Sequence, residues 1–212
     1  FAHTRLILVG DHNQLPPVGP GNVLRDIIQH RLVPTVLLDE VVRQAGELKT
    51  NSMAILSGLI APTAVRDPAW TVVDVFQDVQ PIQVYLRDLV LQTLPARLHL
   101  DPVQDVQIIT PTHLGALGTK AINQMMQRLL HGEVERKFAV GDKVIQTVND
   151  YDLGVMNGTI GRVVAIESKP GGYGIDFDGA GIKSIAGDQV HNVQLAYALT
   201  AHKAQGSEFP CA

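Results

Sequence analysis

Apolar residues along this chain follow two successive rhythms. In the first, short continuous apolar runs alternate with stretches whose apolar residues recur three and four apart. Leu6-Ile7-Leu8-Val9, closed by Gly10-Asp11, predicts a strand buried on both faces. A Pro- and Gly-rich loop from Leu15 to Gly21 leads to Asn22, which is placed to cap a short helix carrying Val23, Leu24, Ile27 and Ile28. Val36-Leu37-Leu38 predicts a second buried strand, and Leu48, Ala54, Ile55 and Leu59 predict a helix over 47–60. Trp70 to Phe76 reads as a strand, and Pro81 opens a helix with Ile82, Tyr85, Leu86 and Leu89 on one face. Val106 to Ile109 is the next strand, ended by Thr110-Pro111. The clearest helix spans 116–130, where Leu117, Ala121, Ile122, Met125, Met126 and Leu129 form a wide stripe. Alternation of this kind predicts an α/β fold with a parallel sheet.

The rhythm changes near residue 138. Lys143 to Gln146, Thr159 to Ala165, Gly174 to Phe177 and Ile182 to Ile185 are short strands, separated by the turn pairs Asn157-Gly158, Gly171-Gly172 and Asp178-Gly179. They predict a small antiparallel, barrel-like unit inserted into the α/β sheet. Val193 to Leu199 reads as one final strand returning to α/β character.

Composition narrows the function classes. With 212 residues, 45% of them apolar and 18% charged, the chain can bury a core and fits one large domain or two small ones. A net charge of −4 gives no support for a basic nucleic-acid coat, so nucleic-acid contacts must come from local groups. The single cysteine, Cys211, excludes an intrachain disulfide and a Cys-rich zinc site. No apolar stretch of about 18 residues could span a bilayer, and no secretory signal precedes the first apolar run. These features point to a cytoplasmic setting without a membrane. The chain opens without Met and stops at Ser207 to Ala212 as another strand would begin, so both ends read as cut from a longer protein.

No Gly-Lys pair occurs, so the phosphate-binding loop G-x-x-x-x-G-K-[ST] is absent from these residues. Asp39-Glu40 after an apolar run invites comparison with an acidic magnesium motif, but Pro34 crowds the strand and Arg43-Gln44 follows closely. Three other segments carry a resemblance. Gly10-Asp-His-Asn-Gln-Leu-Pro-Pro-Val-Gly-Pro-Gly21 resembles motif III of superfamily 1 helicases, in the version of the RecD-like branch. Leu38-Asp-Glu-Val-Val-Arg-Gln-Ala45 resembles motif IV. Leu199-Thr-Ala-His-Lys-Ala-Gln-Gly-Ser-Glu-Phe-Pro210 resembles motif V and is the most specific of the three. Between them, Thr110 to Gly115 and Gly118 to Asn123 resemble the segment before the family's SH3-like insertion. Gly141 to Gln146, Asn149-Asp-Tyr151 and Met156 to Gly161 resemble the segment entering it.

This resemblance implies RecA-like architecture: the end of a first motor lobe over 1–35, a second lobe over 36–137 and 193–212, and an SH3-like β insertion over 138–192. It implies an ATP-dependent helicase moving 5′ to 3′ on single-stranded DNA in repair or recombination. ATP with Mg2+ would be the cofactor, and other subunits of a helicase–nuclease complex could be partners. The phosphate loop and the magnesium ligand would lie outside this chain, which alone should not hydrolyse ATP. On the catalytic side, Arg43 would act as an arginine finger toward the γ-phosphate, where such a group is worth roughly 10³–10⁵ in rate. Gln14 would sense that phosphate or the attacking water. Gln205, Gly206 and Glu208 would line the nucleotide cleft, Glu208 accepting from the ribose hydroxyl. The DNA contacts would be Pro16, Pro17 and Val18 against bases, with Thr112, His113, Thr200, His202 and Lys203 on phosphates and Asn149 and Tyr151 from the insertion. Asn157 is a further candidate there.

Plainer roles compete with these. Arg43 can pair with Glu40, Gln14 can be an exposed turn residue, the prolines can simply stiffen their loop, and Lys203 can be solvated. Two other functions share the pattern: a non-catalytic single-strand-binding or assembly subunit, and the helicase half of a conjugative relaxase.

Overall fold

The computed structural model describes residues 4–16, 19–38, 46–60, 70–167 and 171–212. They divide into two compact units, Phe1–Val75 and Phe76–Ala212.

In the first unit, α1 (Val23–Gln29) and α2 (Gly46–Leu56) form where apolar spacing predicts helices. Asn22 precedes α1 but makes no side-chain capping bond. The two expected strands do not form. Leu6 to Val9 are 53–93% exposed and Val36 to Leu38 are 59–90% exposed. A parallel strand is stabilised by ladders to its neighbours and by helices over its faces. These runs have no ladder partner among the described residues. Residues 71–76 also form no strand.

The second unit opens with α3 (Val79–Asp88), which continues through a π-helical turn (Leu89–Thr93) into α4 (Leu94–Leu98). Pro95 accounts for the widened turn: it lacks an N–H and its ring crowds the carbonyl one turn earlier. Next come β1 (Ile108–Thr110) and α5 (Thr119–His131). The expected stripe on α5 is rotated. Thr119, Ile122, Asn123 and Met126 form the buried face, whereas Leu129 is 43% exposed.

Strands β2 (Lys143–Gln146), β3 (Ile160–Ile166), β4 (Tyr173–Phe177) and β5 (Gly181–Ile185) follow as predicted. The expected final strand is two strands. β6 (Val193–Leu195) joins an antiparallel sheet of order β5-β4-β3-β2-β6, and β7 (Ala198–Thr200) pairs in parallel with β1. The antiparallel sheet remains open, with β5 and β6 as its edges. Its core gathers Phe138, Val144, Val163, Ile175, Phe177 and Val193, and Phe138 meets Tyr173 edge-on at 5.2 Å. A second core packs Val90, Val106, Ile122, Met126 and Tyr197 around the parallel pair. The short helix α6 (Ala201–Ala204) leaves β7, and the chain returns to bridge Cys211 beside Val106.

Candidate nucleic-acid interface

Gln14 and Pro16 lie exposed in the first unit. Asp11 organises their turn: Oδ1 accepts from the Asn13 N–H at 2.9 Å and Oδ2 from Gln14 Nε2 at 3.1 Å. Pro17, Val18, Asp39, Glu40 and Arg43 lie outside the described residues.

The second unit holds the other candidates. The loop from Thr112 to Gly118 folds back on the start of α5. The carbonyls of Thr112 and His113 accept from the N–H groups of Thr119 and Lys120, at 3.1 and 3.3 Å. His113 Nδ1 lies 2.7 Å from Thr119 Oγ1, and Gln83 Nε2 donates to the Ala116 carbonyl at 2.8 Å. Thr110 Oγ1 donates to the Leu117 carbonyl at 2.8 Å. Free N–H groups at a helix start need acceptors, and here the preceding loop supplies them.

Thr200 ends β7 and caps α6, its hydroxyl oxygen accepting from the Lys203 N–H at 3.3 Å. His202 and Lys203 lie in α6, and Gln205, Gly206 and Glu208 follow it directly. Gly206 turns the chain at φ +83°, a conformation open to glycine.

Two clefts meet at this turn. The larger, about 1270 Å³, lies between the turn and the antiparallel sheet. His202, Lys203, Gln205, Gly206 and Glu208 line one side, with Asn157, Arg162, Asp176 and Asp178 opposite. Candidates assigned separately to nucleotide and DNA therefore share one cavity. The smaller cleft, about 390 Å³, holds Thr200, His113 and Lys203. Lys120 and Lys137 also line it, above a floor that includes Phe138 and Ile145, and no Asp or Glu lines it among the described residues. Lys203 borders both cavities.

Lys137 Nζ donates to the carbonyls of Val190 and Val193 at 2.7 and 2.8 Å and sits 5.1 Å from the Phe138 ring centroid. Burial lowers the pKa of both Lys137 and Lys203. Asn149 and Tyr151 occupy the β2–β3 connection. Asn149 Oδ1 accepts from the Asn157 N–H at 2.9 Å, its Nδ2 donates to Tyr151 Oη at 3.3 Å, and Tyr151 is 78% exposed. Thus Asn157 helps shape that loop as well as lining the larger cleft.

Lys120, Lys137 and Arg162 carry no signal in the sequence, because an isolated cation gains meaning only when the fold places it in a cleft with Thr200 or Glu208. Among the described residues, no group of three His, Cys, Asp or Glu is placed to hold a metal ion. Glu208 and Gln205 do suit a nucleotide: a carboxylate can accept from a ribose hydroxyl, and a carboxamide can both donate and accept.

A parallel strand pair packed by helices, with an open, SH3-like antiparallel insertion, fits the expected RecA-like α/β fold class. Residues 120–177 match the model of the ATP-dependent RecD-like DNA helicase SH3 domain, and residues 2–67 match that of an AAA domain. Over nearly its whole length the chain is similar to RecD-like helicases. It is 34% identical to the ATP-dependent RecD2 DNA helicase of Deinococcus radiodurans over 97% of the chain and 28% of that protein. It is 27% identical to the RecBCD enzyme subunit RecD of Mycolicibacterium smegmatis over 97% of the chain and 39% of that protein. The conjugal transfer protein TraA of Agrobacterium fabrum is 25% identical over 97% of the chain and 19% of its own length. The chain thus spans 19–39% of these relatives. Its fold is similar to that of the Pif1 helicase from Bacteroides solved with ADP-AlF3 and ssDNA, with a TM-score of 0.53 and 19% identity, covering 94% of this chain and 53% of that one.

Proposed function

We propose that this chain forms part of an ATP-dependent DNA helicase that moves 5′ to 3′ on single-stranded DNA in repair or recombination, in the cytoplasm. One observation carries the reading: Lys203 borders both a cleft lined, among the described residues, by cations without acids and a larger cleft holding Gln205 and Glu208. A single turn thereby faces both a polyanion and a nucleotide. Cations over an apolar floor suit a single strand, whose phosphates need charge and whose bases need apolar contact.

In this reading residues 1–35 end the first motor lobe, 36–137 and 193–212 make the second, and 138–192 form the insertion. ATP with Mg2+ is the cofactor; the nucleotide supplies the phosphoryl group whose hydrolysis drives movement. Glu208 orients the ribose, Gln205 lines the cleft, and Gln14 and Arg43 act on the phosphate, Arg43 chiefly on transition-state charge. Pro16, Pro17 and Val18 lie along the bases. Thr112, His113, Thr200 and His202 hold phosphates. The relative named as a subunit of the RecBCD enzyme supports partner subunits. Having no G-x-x-x-x-G-K-[ST], the chain alone does not hydrolyse ATP. The TraA relative favours a second setting, the helicase half of a conjugative relaxase, in which the same clefts would serve the same ligands.

The test is binding of a labelled oligothymidylate of roughly 16 nucleotides, a single-strand site size, followed by anisotropy at several salt concentrations. The logarithm of the affinity should fall linearly with log salt at a slope of about 0.7 per neutralised phosphate, and a duplex of equal length should bind more weakly. Salt-independent binding, or equal affinity for the duplex, would overturn the reading.

A further inference from the structure

Val193–Thr200 crosses between two sheets. Val193–Leu195 pairs with β2 in the antiparallel sheet, Ala198–Thr200 pairs with β1, and only Ala196 and Tyr197 lie between. So short a link could hinge. The side chains around Tyr197 oppose that.

Tyr197 is 2% exposed, and its hydroxyl donates to Asp142 Oδ1 at 2.7 Å. Asp142 is fully buried and immediately precedes β2. Its Oδ2 accepts from the Ala139 N–H at 2.8 Å and from Gln127 Nε2 at 2.5 Å. His131 Nε2 lies 3.2 Å from Asp142 Oδ1 and 3.3 Å from Tyr197 Oη. Gln127 and His131 stand four apart on α5 and therefore share one face. One carboxylate thus ties together the helix of the motor lobe, the entry to the insertion and the link between the sheets.

A buried carboxylate is tolerated when its lone pairs are filled, and removing one partner leaves a costly orphan. Apolar packing of similar volume could hold two layers together at no such cost, but it allows sliding. Directional bonds to a fixed charge restrict the angle.

We propose that Asp142, Tyr197 and His131 form a positioning joint that holds the Asn149–Tyr151 loop at a fixed angle to the Thr200–Lys203 turn, so that one nucleic-acid strand engages both. The joint touches neither ligand. Its part in strand binding rests on the function proposed above; the rigidity itself does not.

Two measurements test it, on the full chain in a Cys211→Ala background. Spin labels at Asp152→Cys and Ser207→Cys, both exposed, report the distance between loop and turn. One narrow distance distribution is expected in the reference chain, broadened by Tyr197→Phe, which removes only the hydroxyl, and by Asp142→Asn. If Asp142→Asn does not fold, Tyr197→Phe decides. An unchanged distribution in a folded Tyr197→Phe chain overturns the joint.

The second measurement compares single-stranded oligonucleotides of roughly 5 and 16 nucleotides, spanning the range of known site sizes. Two linked contacts lose avidity when their geometry loosens, so Tyr197→Phe should bind the longer strand about tenfold more weakly and the shorter one unchanged. Equal losses at both lengths overturn a positioning role. If the reference chain binds neither strand, the nucleic-acid reading falls while the distance measurement still judges the joint.

Discussion

Asn123 grips Ala198 from both sides: its Oδ1 accepts from the Ala198 N–H at 2.8 Å, and its Nδ2 donates to the Ala198 carbonyl at 3.0 Å. The same Nδ2 lies 3.1 Å from the Leu195 carbonyl. A side-chain amide on α5 thereby does for the start of β7 what a neighbouring strand would do. Without it, the backbone at the crossing between sheets would hold buried polar groups short of partners.

Replacement of Asn123 should therefore be costly in a specific order. Asn123→Ala removes these bonds and should destabilise the fold by about 2–4 kcal/mol. Asn123→Asp should cost more at neutral pH, because it keeps the acceptor for Ala198 N–H but turns a carboxylate oxygen toward two carbonyls. Urea unfolding midpoints check the order. An Asp variant as stable as the Ala variant would show that a carboxylate facing the Leu195 and Ala198 carbonyls costs no more than the retained acceptor returns.

Gly118 and Gly115 should respond differently to alanine. A Cβ on Gly118 would sit 2.5 Å from the Leu114 carbonyl oxygen and 2.6 Å from that of His113, both rigid backbone. Since Gly118 has an ordinary φ of −78°, the penalty is one of space. Gly115 has φ +92° with open room around it, so its penalty is conformational, about 1 kcal/mol. Gly118→Ala should cost about 1–3 kcal/mol and move the His113 loop. Chemical-shift changes at His113 and Lys120 in Gly118→Ala, but not in Gly115→Ala, are the expected signature.

These residues also show how far the sequence could be read. The insertion was legible because β2 to β5 are short runs separated by the turn pairs Asn157-Gly158, Gly171-Gly172 and Asp178-Gly179. The crossing was not: Val193-Gln-Leu-Ala-Tyr-Ala-Leu199 reads as one apolar run, and its break depends on Asn123 and Tyr197 meeting partners 75 and 55 residues away. The apolar runs at Leu6 and Val36 looked like strands, but a strand needs neighbours, which no local pattern supplies. In the site, motif spacing marked Thr200, Lys203 and Glu208, whereas Lys120 and Lys137 gained meaning only from the cleft they enclose.

Lys143 makes stability depend on pH. It is 5% exposed, its Nζ donates to the Val106 carbonyl at 3.1 Å, and burial lowers its pKa from 10.5 to about 8 despite nearby Asp178, Asp105 and Asp101. Between those two values the unfolded chain binds more protons than the folded one, so this group makes stability rise with pH from about 8 toward 10.5. The contribution is on the order of 3 kcal/mol. Cys211, whose thiol pKa burial raises, contributes in the opposite sense, so the comparison must be with Lys143→Met across the same pH series. The unmodified chain should gain stability relative to the variant as pH rises. Parallel curves would show that Lys143 is not desolvated as the fold requires.

Lys203 and Tyr151 should separate the two physical components of strand binding. Lys203 borders the smaller cleft beside Lys120 and Lys137, and Tyr151 stands 78% exposed on the insertion loop. A cation on a phosphate works by releasing condensed counterions, so Lys203→Gln should reduce the salt slope by about 0.7 and weaken binding most at low salt. An aromatic ring on a base involves no counterion. Tyr151→Ala should therefore weaken binding by about 1–3 kcal/mol at every salt concentration, with the slope unchanged, and Tyr151→Trp should restore it. Tyr151 Oη accepts from Asn149 at 3.3 Å, so Tyr151→Phe separates stacking from that hydrogen bond and should bind nearly as well as the unmodified chain. The measurement is anisotropy of labelled oligothymidylate over a salt series for each variant. If Tyr151→Ala changed the slope by a whole phosphate, or if Lys203→Gln shifted affinity uniformly, the division of the interface into a phosphate-binding turn and a base-stacking loop would be wrong.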